Sequence, residues 1–448
     1  MQSVSIRASA IFMFDFFFNL VKEIKDCFKL FSASSAKARR IVFYSESDIY
    51  YQYYEGIIDE LLGRGDIEIA YITSDIKDSI FRRFAGRVED DRKDGAGNEV
   101  ERGGGRSGNR MEKSPGGGDP DSKIKVFYIN KLLSIAMIYL DSKVFLMTMP
   151  DLGNFHIKRS INAVHYIYVF HAIGSTHLQY RRGAFDNYDA VFCVGAHHTA
   201  EIKKAEEIYA SKPKTLIECG YHRLEKIWRD HREYISAAKT SSGKDSSALS
   251  AGALSADGRL KRTVLIAPTW TDGNILDSHI FEIIDILKNA TELNAVIRPH
   301  PEYIKRYPDR VAKIADYITG AGNISLELEM LKDENLHKAD ILITDWSGIY
   351  LEYALGTGRP VLFIDTPCRI DNKEYEKLGI EPMELTLRPL CGLILKPDSI
   401  ASLTQDISVL IAGREKYGDG LAKLRERYIF NFLNSSKIAA DYIIDKLK

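Results

Sequence analysis

The chain has 448 residues, room for two or three domains at about 100 to 200 residues each. Hydrophobic residues make up 45% and charged residues 27%, which excludes wholesale disorder; 61 Lys and Arg against 62 Asp and Glu leave a net charge of -1, which excludes a global attraction for nucleic acid. Five cysteines lie far apart with no C-x-x-C pair, so no disulfide framework or zinc knuckle is written into the sequence, as suits a reducing compartment.

The first element is an amphipathic helix over 11–31. No run of about 18 uncharged apolar residues occurs in the chain, which excludes a multispanning membrane protein. Asp15, Lys22, Glu23, Lys25, Asp26 and Lys29 interrupt this closest approach, and no basic n-region or cleavage site frames it as a signal peptide. Phe14, Phe17, Phe18, Val21, Ile24, Phe28 and Phe31 recur at helical spacing, with the lysines on the remaining arc. Two readings fit that pattern equally: a helix lying in a membrane interface and a helix packed on its own domain.

Strand-like runs follow at 41–44, 67–72, 125–129, 144–147, 166–170 and 190–194, separated by amphipathic stretches such as 51–62 and 199–209. This alternation is the signature of a parallel α/β sheet. Residues 86–122, with two triple-glycine runs among mixed charges, and 237–258, rich in Ser, Ala and Gly, are expected to be mobile loops. A glycine run cradles phosphate only between a strand and a helix, and neither flanks these. The alternation resumes with strands at 263–267, 295–297, 341–344 and 361–364 and helices at 280–287 and 349–355. The expected organisation is an N-terminal helix (1–35), a Rossmann-like domain (36–235), a flexible linker (236–260), a second Rossmann-like domain (261–430), and a final helix (431–448) that packs back on the first domain.

Ligands of open α/β sheets bind beyond the carboxyl ends of the strands, and four strand ends are chemically loaded. Phe170-His171-Ala172-Ile173-Gly174-Ser175-Thr176-His177 puts a histidine at a strand end, placed for general-base work near neutral pH or for plain local hydrogen bonding. In Arg298-Pro299-His300-Pro301 two prolines stiffen a guanidinium and an imidazole, a pair suited to phosphate or to a rigid turn with an incidental ion pair. Thr344-Asp345-Trp346-Ser347-Gly348 leads into a helix whose N-terminus can take an anion or be capped by Asp345 or Ser347. In Ala267-Pro268-Thr269-Trp270-Thr271, Thr269 can donate to phosphate and Trp270 can stack or pack.

Taken in chain order, Ala267-Pro-Thr-Trp, then Arg298-Pro-His-Pro, then Ala339-Asp-Ile-Leu-Ile-Thr-Asp-Trp-Ser-Gly, then Gly358-Arg-Pro-Val-Leu-Phe resemble the CDP-glycerol glycerophosphotransferase family, which polymerises teichoic-acid-type chains. Phe170-His171 looks like the family's Trp-His-Gly-Thr motif and Cys219-Gly-Tyr-His-Arg-Leu like its Gly-x-Pro-Arg motif. The resemblance spans 164–363. It implies an α/β fold of GT-B type, with two Rossmann-like parallel-sheet domains facing a cleft. It also implies transfer of glycerol phosphate, or a related polyol phosphate, from a CDP-linked donor to a hydroxyl of a lipid-linked or polysaccharide acceptor in cell-surface polymer synthesis. The expected place is cytoplasmic, peripheral on the inner face of the cell membrane, with no nucleic-acid partner. His171 matches the histidine that deprotonates the acceptor, and His300 the one that contacts the donor's phosphates. Arg298, Ser347 and Thr344 match donor-phosphate positions; Asp345, Thr269 and Gly348 complete that side, and Ser175, His177 and Arg223 are candidates for the acceptor side. The sequence departs from the pattern at Ala172 (family glycine), at the missing Thr-Pro after it, at Gly348 (usually serine) and at Thr271 (arginine after Pro-Thr-Trp).

In-line displacement at phosphorus needs an activated hydroxyl, a neutralised leaving nucleotide and little covalent work by the protein. No cofactor is expected to be required, although Asp345 could recruit a divalent ion; it lacks a second well-spaced carboxylate. Two rival readings remain: a GT-B enzyme that transfers or epimerises a nucleotide-sugar, and a non-catalytic membrane-associated scaffold.

Overall fold

In a computed structural model the described residues are 2–84, 123–154, 157–241, 261–329 and 332–448, with side chains from residue 16 onward. The glycine-rich stretch 86–122 and most of the linker, 242–260, lie outside them.

Among the described residues thirteen strands form two sheets. The first has seven strands, β1 (Ile41–Ser45), β2 (Ile69–Thr73), β3 (Ile124–Tyr128), β4 (Val144–Met147), β5 (His165–Val169), β6 (Ala190–Cys193) and β7 (Thr215–Glu218), in the order β3-β2-β1-β4-β5-β6-β7. The second has β8 (Arg262–Ile266), β9 (Leu293–Ile297), β10 (Ile324–Leu326), β11 (Ile341–Thr344), β12 (Val361–Ile364) and β13 (Gly392–Leu395), ordered β10-β9-β8-β11-β12-β13. The pairs from β3 across to β5, and all those of the second sheet, are parallel, which is the α/β class expected. Central strands such as β1, β4 and β12 are buried along their length because helices cover both faces. The strands that sequence alone did not show, β7, β10 and β13, stand at sheet edges; they are three or four residues long and partly exposed, so no apolar run marks them.

By compactness the chain forms two units. One comprises Met1–Val169, Asn187–Ala190 and Ala439–Lys448; the other comprises Phe170–Asp186 and Val191–Ile438.

Within the first unit the N-terminal helix Gln2–Phe31 uses both faces. Glu23, Asp26 and Leu30 are buried. Glu23 accepts from the backbone N–H groups of Asn130 and Leu132, both at 2.6 Å, and Asp26 accepts from Tyr128 N at 2.9 Å, so two carboxylates tie the helix to the end of β3. Phe17, Phe18 and Phe28 on the other arc are 60%, 62% and 76% exposed. The C-terminal residues of the same unit are fixed by Tyr442, whose hydroxyl lies 3.0 Å from His165 Nε2, and by Arg40, which donates to Leu447 O at 2.7 Å.

Within the second unit the core of the six-stranded sheet gathers Val264, Ile266, Ile297, Ile343 and Leu362 with the helix Ile280–Asn289. Register aligns the strand ends: Ile266 pairs with Ile297 on β9 and with Ile343 on β11. Residues 267–270, 298–300 and 344–348 therefore emerge side by side.

Candidate active site

The aligned ends of β8, β9 and β11 are locked together by Thr344 and Asp345. Thr344 Oγ1 donates to Ala267 O at 2.7 Å. Asp345 is fully buried, and its carboxylate accepts from the N–H groups of Thr269 at 2.8 Å, Ile275 at 3.1 Å and Trp346 at 2.7 Å. Burial pushes the Asp345 carboxyl up and the three N–H donors oppose it. The expected capping role falls to neither Asp345 nor Ser347: the helix Ile349–Thr357 begins at Gly348 with no side-chain cap, because Asp345 turns instead to the β8 loop. Ser347 is buried beside this helix start, and a Cβ on Gly348 would meet nothing within 4 Å. In the first turn Tyr350 N donates to Ser347 O at 3.3 Å and Leu351 N to Gly348 O at 3.1 Å, so what the helix start offers an anion is the open space at Gly348 and the positive end of the helix dipole.

His300 caps the following helix, Pro301–Arg306: its Nδ1 accepts from Glu302 N at 3.1 Å. An Nδ1 that accepts a backbone N–H places the ring proton on Nε2. Burial pushes the His300 pKa down to about 3, with Arg369 and His171 adding to the effect, so the ring is neutral at pH 7 and a hydrogen-bond donor through Nε2. His171 is therefore close enough to be felt electrostatically at His300; it also meets Tyr180 edge-on, ring centroids 6.5 Å apart. Trp270 lies 6.2 Å from the His300 ring.

The two arginines named by sequence point elsewhere. Arg298 is buried; its Nε donates to Glu327 at 2.6 Å and its Nη2 to Lys332 O at 2.9 Å. Arg223 makes a two-pronged pair with Asp333, with Glu352 3.8 Å from its Nε. Burial acts to raise the Asp333 carboxyl, but the hydrogen bond and charge of Arg223, with His337 and Arg298 adding to them, outweigh it and hold the group below the usual carboxylate range.

The loop after His171 is held at nearly every residue. His197 Nε2 meets Ile173 O at 2.7 Å, and His198 donates from Nε2 to Gly174 O at 2.9 Å while its Nδ1 accepts from Val194 N. Ser175 is fully buried: its N–H donates to Glu384 at 3.0 Å, and its hydroxyl accepts from Met383 N at 2.7 Å. Thr176 donates twice to Glu201, and His177 Nε2 meets Ile380 O at 2.9 Å. Gly174 is required here by close approach, since a Cβ would come within 2.2 Å of Glu384 Oε1. Ser175 and His177, acceptor-side candidates by sequence, are thus interior residues with internal partners.

Sequence reading missed Glu201, Glu384, His197, His198 and Arg369. The doublet His197-His198 follows the strand run 190–194 and is a fifth loaded strand end. Glu201, Glu384 and Arg369 carry no local signal, because their partners lie 25 to 209 residues away.

Residues 170–377 match the family described as CDP-Glycerol:Poly(glycerophosphate) glycerophosphotransferase. No curated protein matches the chain. Among solved structures, the wall teichoic acid polymerase TagF soaked with CDPG is similar over 100% of this chain and 98% of its own, at 13% identity and a TM-score of 0.52. A candidate UDP-N-acetylglucosamine 2-epimerase from Listeria monocytogenes is similar over 90% of this chain and 94% of its own, at 11% identity and a TM-score of 0.50. At such identities these two likenesses establish the fold, that of the GT-B class, and no more.

Proposed function

We propose that this chain, which matches the glycerophosphotransferase family over residues 170–377, transfers glycerol phosphate, or a related polyol phosphate, from a CDP-linked donor to a hydroxyl of a lipid-linked or polysaccharide acceptor in teichoic-acid-type polymer synthesis. The observation that carries this reading is the register that aligns the ends of β8, β9 and β11, so that Thr269, His300 and the uncapped start of Ile349–Thr357 stand at one edge of the sheet, with the charge of His171 acting on His300, within the span of the family match. The fold is shared with an epimerase-like protein and does not choose between donors; the family match favours the CDP-linked one.

In the proposed reaction His171 takes the proton of the acceptor hydroxyl, whose oxygen attacks the phosphorus that carries the glycerol. A new P–O bond forms, the P–O bond to the cytidylate breaks, and CMP leaves. His300 donates from Nε2 to a donor phosphate oxygen, and the N–H groups after Ser347 and Gly348 receive the charge that develops on the leaving phosphate. Thr344, Asp345 and Arg298 act behind these groups by fixing the strand ends, and Arg223 ties its helix, His222–Ser241, to Asp333. The reaction is written without a metal, since the Asp345 oxygens are held by backbone N–H groups.

Attachment to a membrane surface belongs to the same proposal. No described helix is long and apolar enough to cross a membrane. Beside the exposed phenylalanines of the first helix, Ile135 and Tyr139 of the helix Leu133–Tyr139 are each 59% exposed. A groove of about 260 Å³ lies between them, lined by Cys27, Phe31, Leu132, Ile135, Ala136 and Tyr139. A continuous apolar face of this kind suits shallow insertion next to a lipid-linked acceptor.

The test is mass-spectrometric detection of CMP when the purified protein is given CDP-glycerol and a prepared lipid-linked acceptor, with and without EDTA. CMP release in both supports the reading as written. UDP release or an epimerised sugar from a UDP-sugar instead supports the nucleotide-sugar alternative, and release from no donor supports the scaffold.

A further inference from the structure

A diphosphate donor brings about two negative charges to the strand ends, and the groups that sequence nominated there do not neutralise them. Of the donor-side candidates, Arg298 is committed to Glu327 and His300 is neutral. The structure brings another guanidinium to the same place. Arg369, in the segment that follows β12, points Nη1 at Thr269 Oγ1, 3.5 Å away, and its guanidinium carbon lies 5.4 Å from the centre of the Trp270 ring. Its charge acts on His300 more strongly than that of His171.

Arg369 is also held in orientation. Asp371 accepts from its Nε at 2.9 Å and its Nη2 at 2.6 Å, which leaves the remaining prong, Nη1, turned towards Thr269. The segment itself is pinned at both ends. Trp346 Nε1 donates to Thr366 O at 2.7 Å; the N–H groups of Asp371 and Asn372 both donate to Leu178 O, at 3.2 and 3.1 Å; Asn372 Nδ2 donates to His177 O at 2.9 Å. A planar fork, partly exposed and fixed by a carboxylate behind it, is prepared for a phosphate oxygen in a way that a mobile surface arginine is not.

We propose that Arg369 is a further donor-binding residue, the guanidinium that meets the diphosphate of the nucleotide donor beside Thr269 and His300. This rests on the glycerophosphotransferase reading and adds to it an oriented guanidinium that keeps one prong, Nη1, turned to Thr269. Because Arg369 bonds the same segment that clamps Leu178, the donor's phosphates and the loop after His171 share one support.

Calorimetry with CDP-glycerol, CDP, CMP and cytidine on the full chain and on Arg369→Ala and Arg369→Lys tests it. The expected result is a loss of CDP and CDP-glycerol affinity of about 10- to 100-fold in Arg369→Ala, the range for removing one charge-assisted bond. Cytidine affinity should hold within about 2-fold, and Arg369→Lys should recover part of the loss through its retained charge. A CDP-to-CMP affinity ratio unchanged in a folded Arg369→Ala protein overturns the assignment of Arg369 alone. Wild-type protein that binds no cytidine diphosphate overturns the donor reading and this assignment with it.

Discussion

His177 Nδ1 stands 3.4 Å from Glu201 Oε1, with the two side chains 2% and 1% exposed. Burial acts to lower the His177 pKa, but the hydrogen bond and charge of Glu201 outweigh it and the net shift is upward. Burial acts to raise the Glu201 carboxyl, yet the surrounding histidines bring it down to about 2. A histidine raised above its unfolded value of about 6.5 adds stability that is whole below that pH and is lost as pH rises through the folded pKa. A carboxyl lowered from its ordinary value adds stability present above that value and lost as pH falls towards 2. The melting temperature of Glu201→Gln should therefore lie below wild type at neutral pH, with the gap closing both above pH 6.5 and below about pH 4. Thermal melts across pH check this; two parallel profiles would show that the pair contributes nothing.

For the proposed base, His171→Asn should lower CMP release by at least about 100-fold while leaving CDP-glycerol affinity within a few-fold, since a general base acts on the transition state and not on donor binding. Turnover near wild type removes His171 from the mechanism.

Arg298→Ala should be costly to stability before anything else. Its loss strands Glu327 without the 2.6 Å partner, and breaking a buried ion pair on one side typically costs about 3 kcal/mol or more. The double change Arg298→Ala with Glu327→Ala should recover part of that in urea unfolding. If the single variant is as stable as wild type, Arg298 does not act as a strut.

The first helix offers two separable faces. Serine at Phe17, Phe18 and Phe28 should leave the fold intact and abolish sedimentation with anionic liposomes, because these rings are mainly solvent-exposed. Alanine at Glu23 and Asp26 should instead destabilise the protein by stranding the N–H groups of Tyr128, Asn130 and Leu132. A wild-type protein that does not sediment ends the membrane proposal.

The sequence by itself determined the α/β alternation, the central strands to within a residue or two, and the strand-end residues of β5, β8, β9 and β11, since burial on both faces writes strands as apolar runs and polar residues stand out where the runs stop. It also determined the amphipathic first helix but left both its readings open. The structure shows that the helix divides its surface, because Glu23 and Asp26 have backbone N–H partners more than 100 residues away. Tertiary structure alone decided which charges face the strand ends. Arg298 reads as a phosphate ligand and Arg223 as an acceptor-side residue in one dimension, yet Glu327 and Asp333 claim them 29 and 110 residues further on. Arg369 shows nothing in its own neighbourhood, because Thr269 is 100 residues away along the chain. A local pattern records which residues an element buries; it does not record the long-range carboxylate that fixes where a long, flexible, charged side chain points.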